Sequence, residues 1–301
     1  MYFKDIEFTL EYDGEPFSVI VNGYDLFGQF WKPEGTPKYV YIFVHGLGGF
    51  ITLNRDFYPL ITNDGGIVYA CDHIGCGKSP GARTSCTVDE IVEETIKIIS
   101  LCKEKHPNLP IVIHGHSMGG LASIILGLTK SDEIKDDVKC IIAEAPWLSK
   151  CPQRNPGFIE HAGIRALSWI LPTFLVPLGF QLFTPDVDQR FADLVQNSPL
   201  FSTGITPRLF LNVEEKQKFA IENKLNWPSS IPLLYQQGTG DNMVDPASNT
   251  EWINELIEKK EKLNLDVVFK SYENAPHYLL KAASRPAASK DILEFIDHHI
   301  K

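Results

Sequence analysis

The sequence predicts an α/β fold, a mainly parallel sheet flanked by helices and broken once by a long insertion. Three observations lead there. From residue 39 onward, continuous apolar strand patterns alternate with amphipathic helical ones. A glycine-rich turn, Gly115-His116-Ser117-Met118-Gly119, joins one such strand to one such helix. The alternation stops at Pro146 and resumes at Ile231.

In order along the chain, residues 6–10 and 17–21 alternate apolar and polar side chains and read as an opening hairpin turning at Tyr12-Asp13-Gly14. Residues 24–31 give a third strand, and 39–44 are apolar throughout, as expected of a strand buried on both faces. A strand at 67–70 precedes a helix that Thr87 opens, with Glu90 three residues on to close a capping box. That helix carries Val88, Ile91, Val92, Thr95, Ile98, Ile99 and Cys102 on one stripe, with Lys103 and Lys105 where cations favour a carboxyl end. Residues 111–113 form the strand before the turn, and Leu121, Ala122, Ile124, Ile125 and Leu128 mark the helix after it. Strands at 140–143, from 231 onward and at 265–272, with helices over 247–263 and 287–299, complete the pattern. In such a sheet, ligands bind at the carboxyl ends of the strands. The loops after Val44, His116, Gln237 and Tyr272 therefore share one rim.

Composition narrows the function. A chain of 301 residues is long enough for one large domain with an insertion. Its net charge of −10 and pI near 5.4 argue against nucleic acid and against electrostatic docking on anionic lipid. The amino-terminal segment has acidic residues where a signal peptide needs an apolar core, so we expect no secretion and a cytoplasmic protein. Six scattered cysteines are too few for a disulfide framework, and we expect them reduced. Cys71 and Cys76 lack a second close pair to complete a tetrahedral metal site.

The turn at 115–119 has the form of a nucleophile elbow. A serine hydroxyl must be held clear of the backbone and deprotonated by a neighbouring base as it attacks. A strained strand-to-helix turn does the first, and it tolerates only small residues two before and two after the serine. Gly115 and Gly119 meet that demand around Ser117, and the amino end of the following helix directs free N–H groups toward it. A base and an acid should follow later in the chain. Asp241 leaves a strand into a glycine-rich turn and is preferred to Asp245, which is better placed to cap the next helix. His277 follows the strand at 267–272, whereas the other histidines adjoin the wrong elements, lie in the insertion or end the last helix. The oxyanion hole needs two backbone donors: the N–H of Met118, after the nucleophile, and one from His45-Gly46-Leu47-Gly48-Gly49, where Leu47 is our choice. This chemistry calls for no metal and no cofactor.

With these residues in hand, HGLGG at 45–49, DHIGCGKS at 72–79, GHSMGG at 115–120, GTGDNMVD at 238–245 and His277 resemble the monoacylglycerol lipase, lysophospholipase and serine-aminopeptidase-like branch of the α/β-hydrolases. The resemblance spans nearly the whole chain and weakens between 146 and 230. It implies an eight-stranded sheet, a core of residues 1–145 and 231–301, and a helical cap of 146–230 inserted after the sixth strand. It also implies Ser117 as nucleophile, Asp241 as acid, His277 as base, and the Leu47 and Met118 N–H groups as the oxyanion hole.

Residues 164–183 hold twenty residues with one charge, Arg165. Pro172, Pro177 and Gly179 argue against a membrane span, and we expect a cap helix with one face packed on the core and the other lining an acyl site near a lipid surface. Three functions follow. The first is hydrolysis of a lipophilic ester, of monoacylglycerol or lysophospholipid type, through an acyl-enzyme. The second is an aminopeptidase or amidase, which would need an acidic anchor such as Glu160, Asp186 or Asp188. The third, a non-enzymatic small-molecule receptor, has no need of an intact Ser, Asp and His set.

Overall fold

The structure, a computed structural model, describes residues 6–149, 151–153, 156–179 and 181–300. Its main sheet has eight strands in the order β1-β2-β4-β3-β5-β6-β9-β10. They are β1 (Glu15–Val21), β2 (Tyr24–Trp31), β3 (Tyr39–Val44), β4 (Gly66–Cys71), β5 (Ile111–His116), β6 (Val138–Glu144), β9 (Leu233–Gly238) and β10 (Val267–Tyr272). The β1–β2 and β2–β4 pairs are antiparallel, and the pairs from β4 through β3, β5, β6 and β9 to β10 are parallel. Every residue of β3, β4, β5 and β9 is buried, as expected of parallel strands with helices on both faces.

On one face lie α2 (Val88–Lys105), α3 (Met118–Ile134) and α7 (Pro246–Leu263), whose Ile91, Ile98, Leu121, Ile125 and Trp252 join Ile42, Tyr69 and Ile113 in the larger core. On the other, α1 (Tyr58–Asn63) and α8 (Arg285–His299) pack Tyr58, Ile61, Ile292 and Ile296 with Tyr41, Val112 and Leu234. The Thr87–Glu90 capping box is present in both directions. Between β6 and β9 the chain runs through α4 (Phe158–Ile170), β7 (Val176–Pro177), α5 (Gln189–Gln196), β8 (Gly204–Ile205) and α6 (Pro207–Asn223), with β7 and β8 forming a small antiparallel ribbon.

Two expectations need correction. Residues 6–10 form no strand. The opening hairpin joins β1 to β2 through Asn22-Gly23, both at positive φ (49° and 81°), as a two-residue hairpin turn requires. Residues 6–12 instead run across the molecule: Phe8 and Leu10 pack beside Phe191, and Thr52 Oγ1 donates to the Leu10 carbonyl. The Asp13 carboxylate is taken by Trp31 Nε1 and Arg55.

The segment 164–183 is not one packed helix. α4 begins six residues earlier, ends at Ile170, and has no buried residue. Phe158 and Trp169, eleven positions apart and so on one helix face, are 90% and 89% exposed, and Ile159, Ile170, Leu171 and Phe174 are exposed beside them. Among the described residues no helix is long and apolar enough to cross a membrane. Cys71, Cys76, Cys86, Cys102 and Cys140 are buried free thiols.

Candidate active site

Ser117 sits between β5 and α3 with φ 57° and ψ −116°, a conformation few non-glycine residues adopt. It holds the N-cap position of α3, yet its side chain makes no capping bond. Its backbone is fixed instead: its N–H donates to Glu144, and its carbonyl accepts from Leu121 and Trp147. The neighbouring glycines are needed for close approach rather than for φ. A Cβ on Gly119 would lie 2.1 Å from the Val44 carbonyl oxygen, and one on Gly115 would lie 2.2 Å from that of Gly119. The elbow is therefore pressed against the carboxyl end of β3, and Ser117 borders a cleft together with Leu47, His116 and His277.

His277 Nδ1 lies 2.8 Å from Asp241 Oδ2, and both side chains are buried. Asp241 is held from every side: Oδ1 accepts from the N–H groups of Met243 (2.8 Å) and Val244 (3.0 Å), and Oδ2 also accepts from Gln237 Nε2 (3.0 Å). Burial by itself would raise this carboxyl. The opposing charge and hydrogen bond of His277, with the two N–H donors, outweigh it and hold Asp241 below the usual carboxylate range. Asn249 Nδ2 in turn fixes Gln237 through its Oε1 at 2.9 Å.

Asp245 has other work. As N-cap of α7 its carboxylate accepts from the Ala247 and Ser248 N–H groups, and it makes no bond to His277.

The two expected backbone donors belong to the start of α3 and to the turn after β3. Met118 is the first residue of α3, so its N–H has no acceptor within the helix. Leu47 lies in the turn after β3, where Gly46 approaches so closely that a Cβ on it would be 3.0 Å from Ser117 Cβ. Of the three acidic candidates for an amine anchor, Glu160 borders the cleft, whereas Asp188 caps α5 and bonds Arg190, and Asp186 is exposed and outside it. Glu214 of α6 also borders the cleft and bonds His161 Nε2 at 2.5 Å.

The segment DHIGCGKS works through Asp72. Its Oδ1 accepts from the Ile51 N–H, and its Oδ2 accepts from the Lys78 N–H and from Tyr12 Oη, each at 2.8 Å. Burial, opposed by those bonds, raises its carboxyl to about 6. Sequence reasoning missed what stands beside it. His73 is fully buried, stacks on His45 with ring centroids 3.7 Å apart, and bonds Glu94. The available signal was Glu94 itself, a carboxylate set among the apolar residues of the α2 stripe.

The sequence matches the family model described as "Serine aminopeptidase, S33" over residues 35–282. The chain belongs to this family. The S33 member is 25% identical to human monoglyceride lipase over 279 residues, 91% of this chain and 86% of that one. It is 29% identical to a monoglyceride lipase homolog of monkeypox virus over 288 residues, 92% of this chain and 95% of that one. Among solved structures it superposes on a monoacylglycerol lipase of Paleococcus ferrophilus with a TM-score of 0.76 at 24% identity, covering 91% of this chain and 99% of that one. A monoglyceride lipase of Saccharomyces cerevisiae, solved with a substrate analog, gives 0.79 at 16% identity, covering 98% and 97%. The fold is that of the α/β-hydrolases, and this S33 protein is an ester hydrolase of their monoglyceride-lipase-like branch.

Proposed function

We propose that the chain cleaves the ester of a lipophilic substrate of monoacylglycerol or lysophospholipid type, with Ser117 as nucleophile, His277 as base and Asp241 as acid. The observation that carries this is one cleft holding both Ser117 and His277, with apolar walls of Leu178, Leu182, Ile205, Phe210 and Val213 from the β6–β9 segment. That segment, 146–230, serves as the cap over a core of 1–145 and 231–301. In the first half-reaction Ser117 Oγ attacks the ester carbonyl while His277 Nε2 takes its proton, and Asp241 stabilises the resulting imidazolium through Nδ1. The tetrahedral oxyanion is received by the Leu47 and Met118 N–H groups. Collapse expels the alcohol, protonated by His277, and leaves an acyl-serine. Water, deprotonated by His277, then attacks that acyl group, and His277 returns the proton to Ser117 Oγ as the acid is released.

The exposed apolar face of α4 supports a further part of the reading: the cap touches a lipid surface, with Glu160 and Ile164 on the face turned to the cleft. An aminopeptidase reading has its own support in Glu160 and Glu214 at the cleft, although Glu214 already bonds His161. A panel of p-nitrophenyl esters of rising chain length, run beside aminoacyl amides, decides between them. We expect turnover to rise with acyl length and to vanish, with fluorophosphonate labelling, in Ser117→Ala. Preferred cleavage of aminoacyl amides overturns the ester reading, and labelling that survives in Ser117→Ala overturns the nucleophile.

A further inference from the structure

We propose that Glu94 and His73 are positioning residues that set the direction of the Leu47 N–H through a buried hydrogen-bond chain; this rests on the Ser117 reading above. The chain starts on α2, where both Glu94 oxygens lie 2.9–3.0 Å from His73 Nδ1. On the other side of the ring, His73 Nε2 lies 3.1 Å from the His45 carbonyl oxygen, and the His73 backbone N–H donates to His45 Nε2 at 3.2 Å. His45 Nδ1 then reaches the Gly46 carbonyl oxygen at 2.9 Å. His45, His73 and Glu94 are all at most 3% exposed.

The proton positions follow from the partners. A carbonyl only accepts, so His73 Nε2 carries hydrogen and donates to His45. His45 Nε2 accepts from a backbone N–H, so its Nδ1 carries hydrogen and donates to Gly46. His73 Nδ1 is left as an acceptor whenever the ring is neutral, and Glu94 must then supply the proton. Burial favours that neutral arrangement, lowering His73 to about 4 and raising Glu94 above the usual carboxylate range.

The consequence for the site is geometric. The Gly46 carbonyl and the Leu47 N–H belong to one planar trans peptide and point in opposite directions. That carbonyl is held by His45 Nδ1 and by the Gly49 N–H at 3.2 Å. With the carbonyl turned back toward the core, the Leu47 N–H is turned away from it, at the place where Gly46 abuts Ser117. Each link is a directional bond in a dry interior, where an unpaired group costs more than in water. Loss of Glu94 leaves His73 free to flip or rotate, and the peptide ahead of Leu47 loses its restraint.

The test compares Glu94→Gln with Glu94→Ala on a short soluble p-nitrophenyl ester, with rates normalised to active sites titrated by a fluorophosphonate. Gln presents an N–H to His73 Nδ1 and should keep kcat within about threefold. Ala should lower kcat tenfold to a hundredfold with KM changed less than threefold, a fraction of the hundredfold to thousandfold loss that follows removal of an oxyanion donor. Affinity for a trifluoromethyl ketone that forms an oxyanion should fall in parallel with kcat. Unchanged kcat per titrated site in Glu94→Ala, or an equal loss in Glu94→Gln, overturns the proposal. The wild-type enzyme supplies a reading independent of folding in the variants: nitrogen NMR should find His73 as the neutral Nε2–H tautomer between pH 6 and 9. An imidazolium or an Nδ1–H tautomer overturns it. Failure of the Ser117 reading shows separately, as wild-type labelling that persists in Ser117→Ala.

Discussion

The backbone N–H of Ser202 donates to the carbonyl of Gly48 at 3.0 Å, joining the segment between β6 and β9 to the turn that follows β3. Thr84 extends the seam, its hydroxyl donating to Ser202 Oγ at 2.8 Å and its carbonyl accepting from Thr206 Oγ1 at 3.1 Å. Gly48 has φ +67°, and a Cβ there would lie 2.0 Å from the Ser202 carbonyl oxygen. The loop carrying Leu47 is thus restrained from the core by His45 and from the other side by Ser202.

Gly48→Ala should break that seam. We expect kcat on a soluble ester to fall at least about tenfold, since positive φ alone costs an alanine about 1 kcal/mol and the clash displaces one of the two strands of chain. Steady-state kinetics normalised to titrated sites would check it, and unchanged kcat would separate the seam from the chemistry.

The two aspartates should part company on substitution. Asp241→Asn removes the charge facing His277 Nδ1 and should lower kcat by about a thousandfold or more while the protein stays folded. Asp245→Ala removes only the α7 cap; it should cost about 1 kcal/mol of stability and leave kcat within about twofold. Denaturant melts run beside the kinetics distinguish them.

The acid limb of the pH–rate profile should have unit slope. Three histidines near Ser117 are kept neutral by burial: His45 is pushed well down, and His73 and His116 fall to about 4. Asp241 lies below the usual carboxylate range, so it stays ionised throughout. On the proposed mechanism a single base then governs the acid side, and the rate should fall there because an imidazolium cannot accept the serine proton. A slope of two in log kcat/KM against pH would reveal a second titrating group.

The exposed face of α4 makes a separate forecast. Trp169→Glu with Phe158→Glu places charge on side chains that are 89% and 90% exposed, so folding should be unaffected. Sedimentation with phosphatidylcholine vesicles should show at least about tenfold weaker binding, since each side chain would bury about 1.5–3 kcal/mol of apolar surface in lipid. Turnover of a short soluble ester should be unchanged. Equal vesicle binding by the variant would rule out this face as the lipid contact.

Much of this molecule is legible in local pattern. The buried strands announce themselves as apolar runs, and the capping box at Thr87 and the elbow at Ser117 each lie within a few consecutive residues. The misread opening hairpin shows the limit of such signals. Asp13-Gly14 and Asn22-Gly23 are both plausible turns, and choosing between them depends on Trp31 and Arg55, which claim the Asp13 carboxylate from 18 and 42 residues away. The apolar segment from 164 shows the same limit in another form. Its composition identifies a sticky surface, but only the packing of α4 reveals that Phe158 and Trp169 face outward.

The sequence by itself determined the α/β order and offered Ser117, Asp241 and His277 as candidates in succession, because strand periodicity, a glycine-flanked serine and loop position are properties of neighbouring residues. Only the tertiary structure decided that Asp241 meets His277 while Asp245 turns to α7, that Glu94 reaches His73 across 21 positions, and that Ser202 grips Gly48. Those are directional bonds a few ångströms long between elements far apart in the chain. Their partners are chosen by how helices and loops pack on the sheet, which periodicity does not encode.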